Sequence, residues 1–227
     1  MGAKVFVLGR PGSGKSTVAR HMIELAGRRG YQSLFVQDYD ILYKMFVNDK
    51  KHERFRPADR GGFDVIDYTV LDTALQQMEK EIEDVLALKN IDMVCIEFAR
   101  NDYRAALHLF SPLFLHNAYF FFIDSDLEFC IQRVQARVTD PPLPDHHFVS
   151  EHVMRTYYNN NNWEYMSQQY KKECTYCEEV VAIRNDGPLS VLIDEVDDFA
   201  ERIFQREFVR LLAGNRTGSP SAFPTQR

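Results

Sequence analysis

The 227 residues contain no apolar run long enough to cross a bilayer. The longest stretch without Asp, Glu, Lys or Arg, Ala105 to Ile123, is interrupted by His108, Pro112, His116 and Asn117, and reads as a helix end, a loop and a buried strand. The opening MGAKVFVLG lacks the long apolar region and small-residue cleavage site of a secretion signal, and no Ser or Thr follows Gly2 at myristoylation spacing. The expected location is therefore cytoplasmic, with no membrane partner. Basic excess is missing too: 27 Lys and Arg face 33 Asp and Glu, a net charge of −6 that argues against broad adhesion to nucleic acid or anionic lipid. Cysteine is sparse, with four residues, which excludes a disulfide scaffold and predicts reduced thiols. Cys95 and Cys130 fall in apolar contexts and read as core. Cys174 and Cys177 have the spacing of half a zinc site or a redox pair, and His146, His147 and His152 are candidates to complete it, but no second pair follows at fixed spacing. There is no internal repeat, and low complexity is confined to Asn159 to Asn162 and the Gly214 to Arg227 tail.

What is present is an ordinary globular composition, 45% hydrophobic and 26% charged, in a chain long enough for one α/β domain. Short β-rich runs occur at Ala3 to Leu8, Ser33 to Gln37, Ile91 to Ile96, Ala118 to Ile123 and Glu179 to Ile183. Four are continuous apolar runs, as strands covered on both faces require. Between them, Lys15 to Arg29, Asp64 to Leu88, Arg104 to Leu113, Leu127 to Val138, Val149 to Lys171 and Leu189 to Leu211 carry helical patterns. The alternation predicts a parallel sheet of about five strands flanked by helices, with chemistry at the carboxyl ends of the strands. The domain is expected over residues 1–212, followed by a flexible tail over 213–227.

Gly9-Arg10-Pro11-Gly12-Ser13-Gly14-Lys15-Ser16-Thr17 follows the first strand and opens the first helix. This is G-x-x-x-x-G-K-[ST] in the strand-to-helix context the motif needs. At average composition the pattern arises by chance roughly once in a hundred chains of this length. Glycines bend the backbone so that successive N–H groups face a phosphate chain, and the helix amino terminus adds partial positive charge. Gly12, Ser13, Gly14, Lys15, Ser16 and Thr17 are the expected nucleotide-binding residues. Lys15 is expected on the β- and γ-phosphates and Ser16 on Mg²⁺. A guanine-reading N-K-x-D is absent, and Asp59-Arg60-Gly61-Gly62, a loose D-x-x-G, has no β-rich run before it. A switch role is thereby disfavoured, and a motor needs more chain.

The G-x-P-G-S-G-K-S-T form of the loop resembles the P-loop kinases that include nucleoside and nucleotide kinases, polynucleotide 5′-kinases and zeta-toxin-like kinases. The resemblance spans about residues 3 to 210. It implies an α/β fold of the P-loop NTPase kinase type with a helical lid, ATP and Mg²⁺ as cofactors, and transfer of the γ-phosphoryl group to a nucleoside, nucleotide or related small molecule, with a polynucleotide 5′-hydroxyl kinase, acting on a nucleic-acid end, as the alternative. It further implies that Asp38, 23 residues after Lys15, accepts the proton of the attacking hydroxyl, with Asp40 as the alternative. Glu97, ending the apolar run Met93 to Ile96, is expected to hold a Mg²⁺-bound water or to serve as the base. Arg100 lies two positions from where deoxynucleoside and thymidylate kinases carry an arginine, so it reads either as a substrate contact or as a partner to a surface acid. Arg133 and Arg137 share a helix face and are expected to neutralise charge at the transferred group, at the entrance to a lid over about 138–165. Asn185, in an Asn-Asp-Gly turn, is expected beside the adenine, although a plain tight turn accounts for it equally well. The insertion over about 41–64 is basic, with six Lys or Arg against three acids between residues 41 and 62. Arg54 and Arg56 within it, and Arg155 with the aromatics of 146–163, are acceptor-site candidates. A solvated helical hairpin and simple lid packing are the plain alternatives. A nucleotide-gated regulatory module with little turnover is the rival from outside enzymology, and an oligomer is compatible with all of these readings.

Overall fold

The computed structural model describes residues 2–58, 62–137 and 148–215. Five strands form one parallel sheet: β1 (Ala3–Gly9), β2 (Ser33–Gln37), β5 (Met93–Phe98), β6 (Tyr119–Asp124) and β7 (Glu179–Arg184), ordered β2-β5-β1-β6-β7. Every neighbouring pair runs parallel, so each connection must cross a face of the sheet and each face acquires helices. This burial on both sides is why all seven residues of β1, Lys4 among them, are buried and why Val5 to Leu8 read as an apolar run.

Alternation along β1 divides the core. Phe6 and Leu8 face the side covered by α3 (Thr69–Leu88), α4 (Tyr103–Leu107) and α5 (Pro112–Leu115), where Phe6 stacks on Phe120 with ring centroids 4.8 Å apart. Val5 and Val7 face α1 (Lys15–Arg28) and the long α9 (Leu189–Asn215), packing with Val18, Met22, Val196 and Phe199.

Four departures from the sequence reading have physical causes. A helix, α2 (Asp38–Asn48), begins directly where β2 ends, with Asp38 and Asp40 in its first turn, where the helix dipole favours acids. A hairpin, β3 (Phe55–Pro57) with β4 (Phe63–Val65), then precedes α3, which starts at Thr69 instead of Asp64. The helix expected over Arg104 to Leu113 is split: Ser111 caps α5, accepting from Phe114 N at 3.1 Å with Pro112 at the next position. The helix expected over Val149 to Lys171 is interrupted after α7 (Glu151–Thr156) by the asparagine run and resumes as a π-helical turn (Tyr165–Gln169) and α8 (Tyr170–Glu173). Between α1 and α7, α6 (Leu127–Arg137) leads toward the expected lid, whose residues 138–147 lie outside the described residues, as do Asp59, Arg60 and Gly61.

Two smaller corrections concern the chain's end. Cys174 and Cys177, expected as reduced thiols, form a disulfide; the turn after α8 brings their Cα atoms to 5.4 Å, within bridging reach. Helix α9 continues to Asn215, into the segment read as tail, and 216–227 lie outside the described residues. Among the described residues, no helix is long and apolar enough to cross a membrane.

Candidate functional site

The turn between β1 and α1 requires glycine at two points. At Gly12 (φ +82°) a Cβ would stand 2.5 Å from the Cys130 carbonyl oxygen, and at Gly14 (φ +109°) one would stand 2.8 Å from Asn185 Nδ2. Among the described residues no side chain caps the α1 amino terminus, its first turn, where Ser16 and Thr17 sit, holds no acid, and the Ser13 hydroxyl is buried without a hydrogen-bond partner. A helix start that is left uncapped, beside an orphaned hydroxyl and a glycine-only backbone, fits an anion with several oxygens. Lys15 Nζ donates to Arg10 O at 2.9 Å and lies 3.8 Å from Glu97 Oε1.

The carboxylates come from the neighbouring strands. Glu97 on β5 pairs in register with both Val7 and Gln37, so its side chain arrives beside the loop and accepts from Ser16 Oγ at 3.0 Å. Among the described residues no three His, Cys, Asp or Glu side chains converge on a metal position. The Ser16 hydroxyl and Glu97 carboxylate instead offer two hard oxygens, a number and type that suit Mg²⁺ sharing its remaining positions with phosphate and water. Asp38 lines the same cavity, of about 140 Å³, as Lys15, Ser16 and Glu97. Its Oδ2 accepts from Arg100, whose guanidinium is buried and also donates to Ala99 O and Leu71 O, each at 2.6 Å. Asp40 is exposed and accepts from Gln37 Nε2 at 3.4 Å, so of the two aspartates Asp38 is the one in the cavity.

Arg133 reaches over the loop, Nη1 donating to Ser125 Oγ at 3.2 Å and Gly12 O at 3.5 Å, and Nη2 to Asn185 O at 3.1 Å. Asn185 in turn donates from Nδ2 to Ser13 O at 2.8 Å, which places it against the glycine turn. The Arg137 side chain lies outside the described residues. None of the acceptor-site candidates Asp40, Arg54, Arg56, Arg100 and Arg155 lines the cavity, and Arg100 meets it only through Asp38. Arg54 is exposed, Arg56 is exposed with Asp64 as its partner at 3.5 Å, and Arg155 is held by Glu151 at 2.8 Å and by Glu128.

Several contacts had no sequence signal. The Tyr103 hydroxyl accepts from Gly9 N–H at 2.7 Å and shares its one proton between Gly9 O and Phe98 O, at 2.9 and 3.1 Å. Asn162 accepts from Tyr103 N–H at 3.1 Å and donates to Asn101 O at 2.9 Å. Arg10, a variable position of the motif, donates to the carbonyls of Ser125, Tyr158 and Asn160 at 2.8 to 2.9 Å. The loop is thus tied to the segment that follows α7.

The chain is similar in structure to a gluconokinase from Sinorhizobium meliloti 1021, at 16% identity, with 92% of this chain and 97% of that one covered and a TM-score of 0.51. It is also similar to Kti12 from Chaetomium thermophilum in complex with ADP-AlF3, at 13% identity, with 89% and 97% covered and a TM-score of 0.56. At these identities the likeness is one of fold, and the fold is that of the P-loop kinases. No family model matches the chain, and no curated protein matches it.

Proposed function

From a P-loop kinase fold whose phosphate turn and two carboxylates open on one cavity, we propose a Mg²⁺-ATP-dependent phosphotransferase. The γ-phosphoryl group passes to a hydroxyl or phosphate oxygen of a nucleoside, nucleotide or related small molecule. The observation that carries this reading is the shared cavity of Lys15, Ser16, Asp38 and Glu97. The loop from Gly12 to Thr17 holds the phosphates, and Lys15 exchanges Arg10 O for the β- and γ-phosphate oxygens. Ser16 and Glu97 hold Mg²⁺, which supplies neutralisation of charge on the phosphate chain. Asp38, oriented by Arg100, accepts the hydroxyl proton; little covalent help is needed, because catalysis here is mainly positioning and charge stabilisation. Arg133 beside Gly12 O, with Arg137 one helical turn on, faces charge that develops at the transferred group. Asn185, against Ser13, borders the nucleotide. ADP-AlF3 bound to the structurally similar Kti12 supports a nucleotide ligand, and the similar gluconokinase supports a kinase.

A second reading, a nucleotide-gated module with little turnover, is favoured by one observation: the Asp38 carboxylate is already engaged by Arg100. The two separate in a screen with γ-labelled ATP against nucleosides, nucleotides, 5′-hydroxyl oligonucleotides and sugars. Label in an acceptor supports the kinase; label only in free phosphate supports the module. Asp38→Asn is expected to abolish transfer while ATP binding persists. Intact turnover in both Asp38→Asn and Glu97→Gln would remove the base assignment.

A further inference from the structure

Arg10 occupies the first variable position of the loop motif, where the phosphate cradle asks for no particular side chain. Its backbone belongs to the turn: the Arg10 carbonyl accepts from Ser13 N–H at 3.1 Å and from Lys15 Nζ at 2.9 Å. Its side chain leaves the turn and is not among those that line the cavity. The guanidinium, 13% exposed, sits between the end of β6 and the stretch that follows α7. On the sheet side Nη1 donates to Ser125 O at 2.8 Å and lies 3.5 Å from Asp124 Oδ1. On the other side Nε and Nη2 donate to Tyr158 O and Asn160 O, each at 2.9 Å.

The stretch 157–162 has a use for such a partner. Two tyrosines and four asparagines follow α7 there; asparagine side chains compete for backbone groups, and carbonyls past a helix end lack helical N–H partners. Further ties run to Asn101, from Asn160 N–H at 3.1 Å and from Asn162 Nδ2 at 2.9 Å. At the head of the stretch Tyr157 and Tyr158 line the cavity together with Asp38. Tyr157 lies flat on Tyr68, which lines it too, with ring centroids 4.5 Å and planes 3° apart. One side chain thus joins the backbone of the glycine turn to the aromatic wall beside Asp38. Glycine-rich backbone has the most freedom to lose, so a ligand that fills its N–H groups restricts it. A guanidinium, whose donors form a rigid fork, passes that restriction to the carbonyls it holds.

Resting on the phosphotransferase reading and deepening it, we infer that Arg10 is a positioning residue: through its side chain an occupied phosphate loop fixes the Tyr157–Tyr158 wall beside Asp38. The acceptor's side of the cavity is therefore completed after the nucleotide has bound, and the nucleotide-loaded form is the one that takes the acceptor.

The test follows amide hydrogen exchange of the full chain by mass spectrometry, in Mg²⁺ with and without saturating ADP, over peptides that cover residues 157–163. The reporters are the Tyr158 and Asn160 amides, bonded to Val153 O at 3.2 Å and Asn101 Oδ1 at 3.1 Å. MgADP is expected to slow their exchange at least about fivefold in the wild-type protein. In Arg10→Met the slowing is expected to fall below half of the wild-type factor, while calorimetry still shows saturable binding of MgADP. A residue that merely held the fold would raise exchange alike with and without nucleotide and leave that factor unchanged. An unchanged factor overturns the inference, as does wild-type protein that binds MgADP with less slowing than this; both leave the phosphotransferase reading standing. Loss of MgADP binding in the variant places Arg10 in nucleotide binding itself and also overturns the inference. Absence of saturable MgADP binding by the wild-type protein overturns the phosphotransferase reading and the inference with it. Arg10→Lys keeps the charge but not the fork, and decides by the same threshold where Arg10→Met does not fold.

Discussion

Arg100→Met removes the buried cation paired with Asp38. The guanidinium is 3% exposed and donates to the Asp38 carboxylate and to the carbonyls of Ala99 and Leu71, so its loss leaves three acceptors to be satisfied otherwise. Breaking a buried ion pair from one side costs about 3–5 kcal/mol. Asp38 also lines the cavity, where water can rehydrate it, and this places the cost near the low end, about 3 kcal/mol. In a chain of this size each kcal/mol moves Tm by about 2–4 °C, so a fall of about 6–12 °C is expected in thermal unfolding followed by circular dichroism. Asp38→Asn keeps an oxygen toward Arg100 and should cost less, about 1–2 kcal/mol. With both partners gone the penalty of an unpaired charge disappears, so the double variant is expected to be more stable than the sum of the singles by at least about 1 kcal/mol. An Arg100→Met protein melting within about 2 °C of wild type, or strict additivity of the two substitutions, would refute the energetic role given to this pair.

Gly12→Ala forces a Cβ toward the Cys130 carbonyl at a φ of +82°; a loss of MgATP affinity of at least about tenfold is expected by calorimetry, and wild-type affinity would contradict the cradle. Tyr103→Phe orphans the buried Gly9 N–H, which costs about 1–3 kcal/mol and should appear as a lower denaturant midpoint at unchanged slope. Asp49 accepts from the backbone N–H groups of Arg54, Phe55 and Glu53, which hold its carboxyl below its ordinary value of 3.8 against the opposing effect of burial. Its support of the β3–β4 hairpin is therefore full above pH 3.8 and disappears as pH falls through the lower folded value. The stability gap between wild type and Asp49→Asn should accordingly close in acid, and a gap independent of pH would reject this. Burial, with the Glu97 charge adding to it, pushes the Cys95 thiol up to about 12; the native protein should leave Cys95 unmodified by a thiol reagent at pH 8, and rapid labelling mapped to that residue by mass spectrometry would contradict its placement.

The features legible in the sequence were those set by local or periodic constraints. A turn that only glycine can make announces itself in the glycines, and strands covered on both faces announce themselves as unbroken apolar runs. Long-range pairing did not. No helix was expected directly after the run that ends at Gln37, yet Asp38 starts one, because the apolar spacing of Ile41, Leu42, Met45 and Phe46 is helical while the preceding run is not. Arg100 meets Asp38 across 62 positions, and the Tyr103 hydroxyl meets Gly9 across 94, distances at which residue type carries no information about partners. Arg155 looked like a wall of the site, but Glu151 four positions earlier and Glu128 on the adjoining helix take its charge.

The strand that opens the chain is the middle of the sheet, and this orders events during synthesis. β1 has hydrogen-bonding neighbours only in β5 and β6, so Phe6, Val7 and their companions wait as an exposed apolar segment until Ile123 has emerged. At roughly 5–20 residues per second that interval is about 6–25 s. The turn after β1 therefore takes its final shape only once both β5 and β6 have been made.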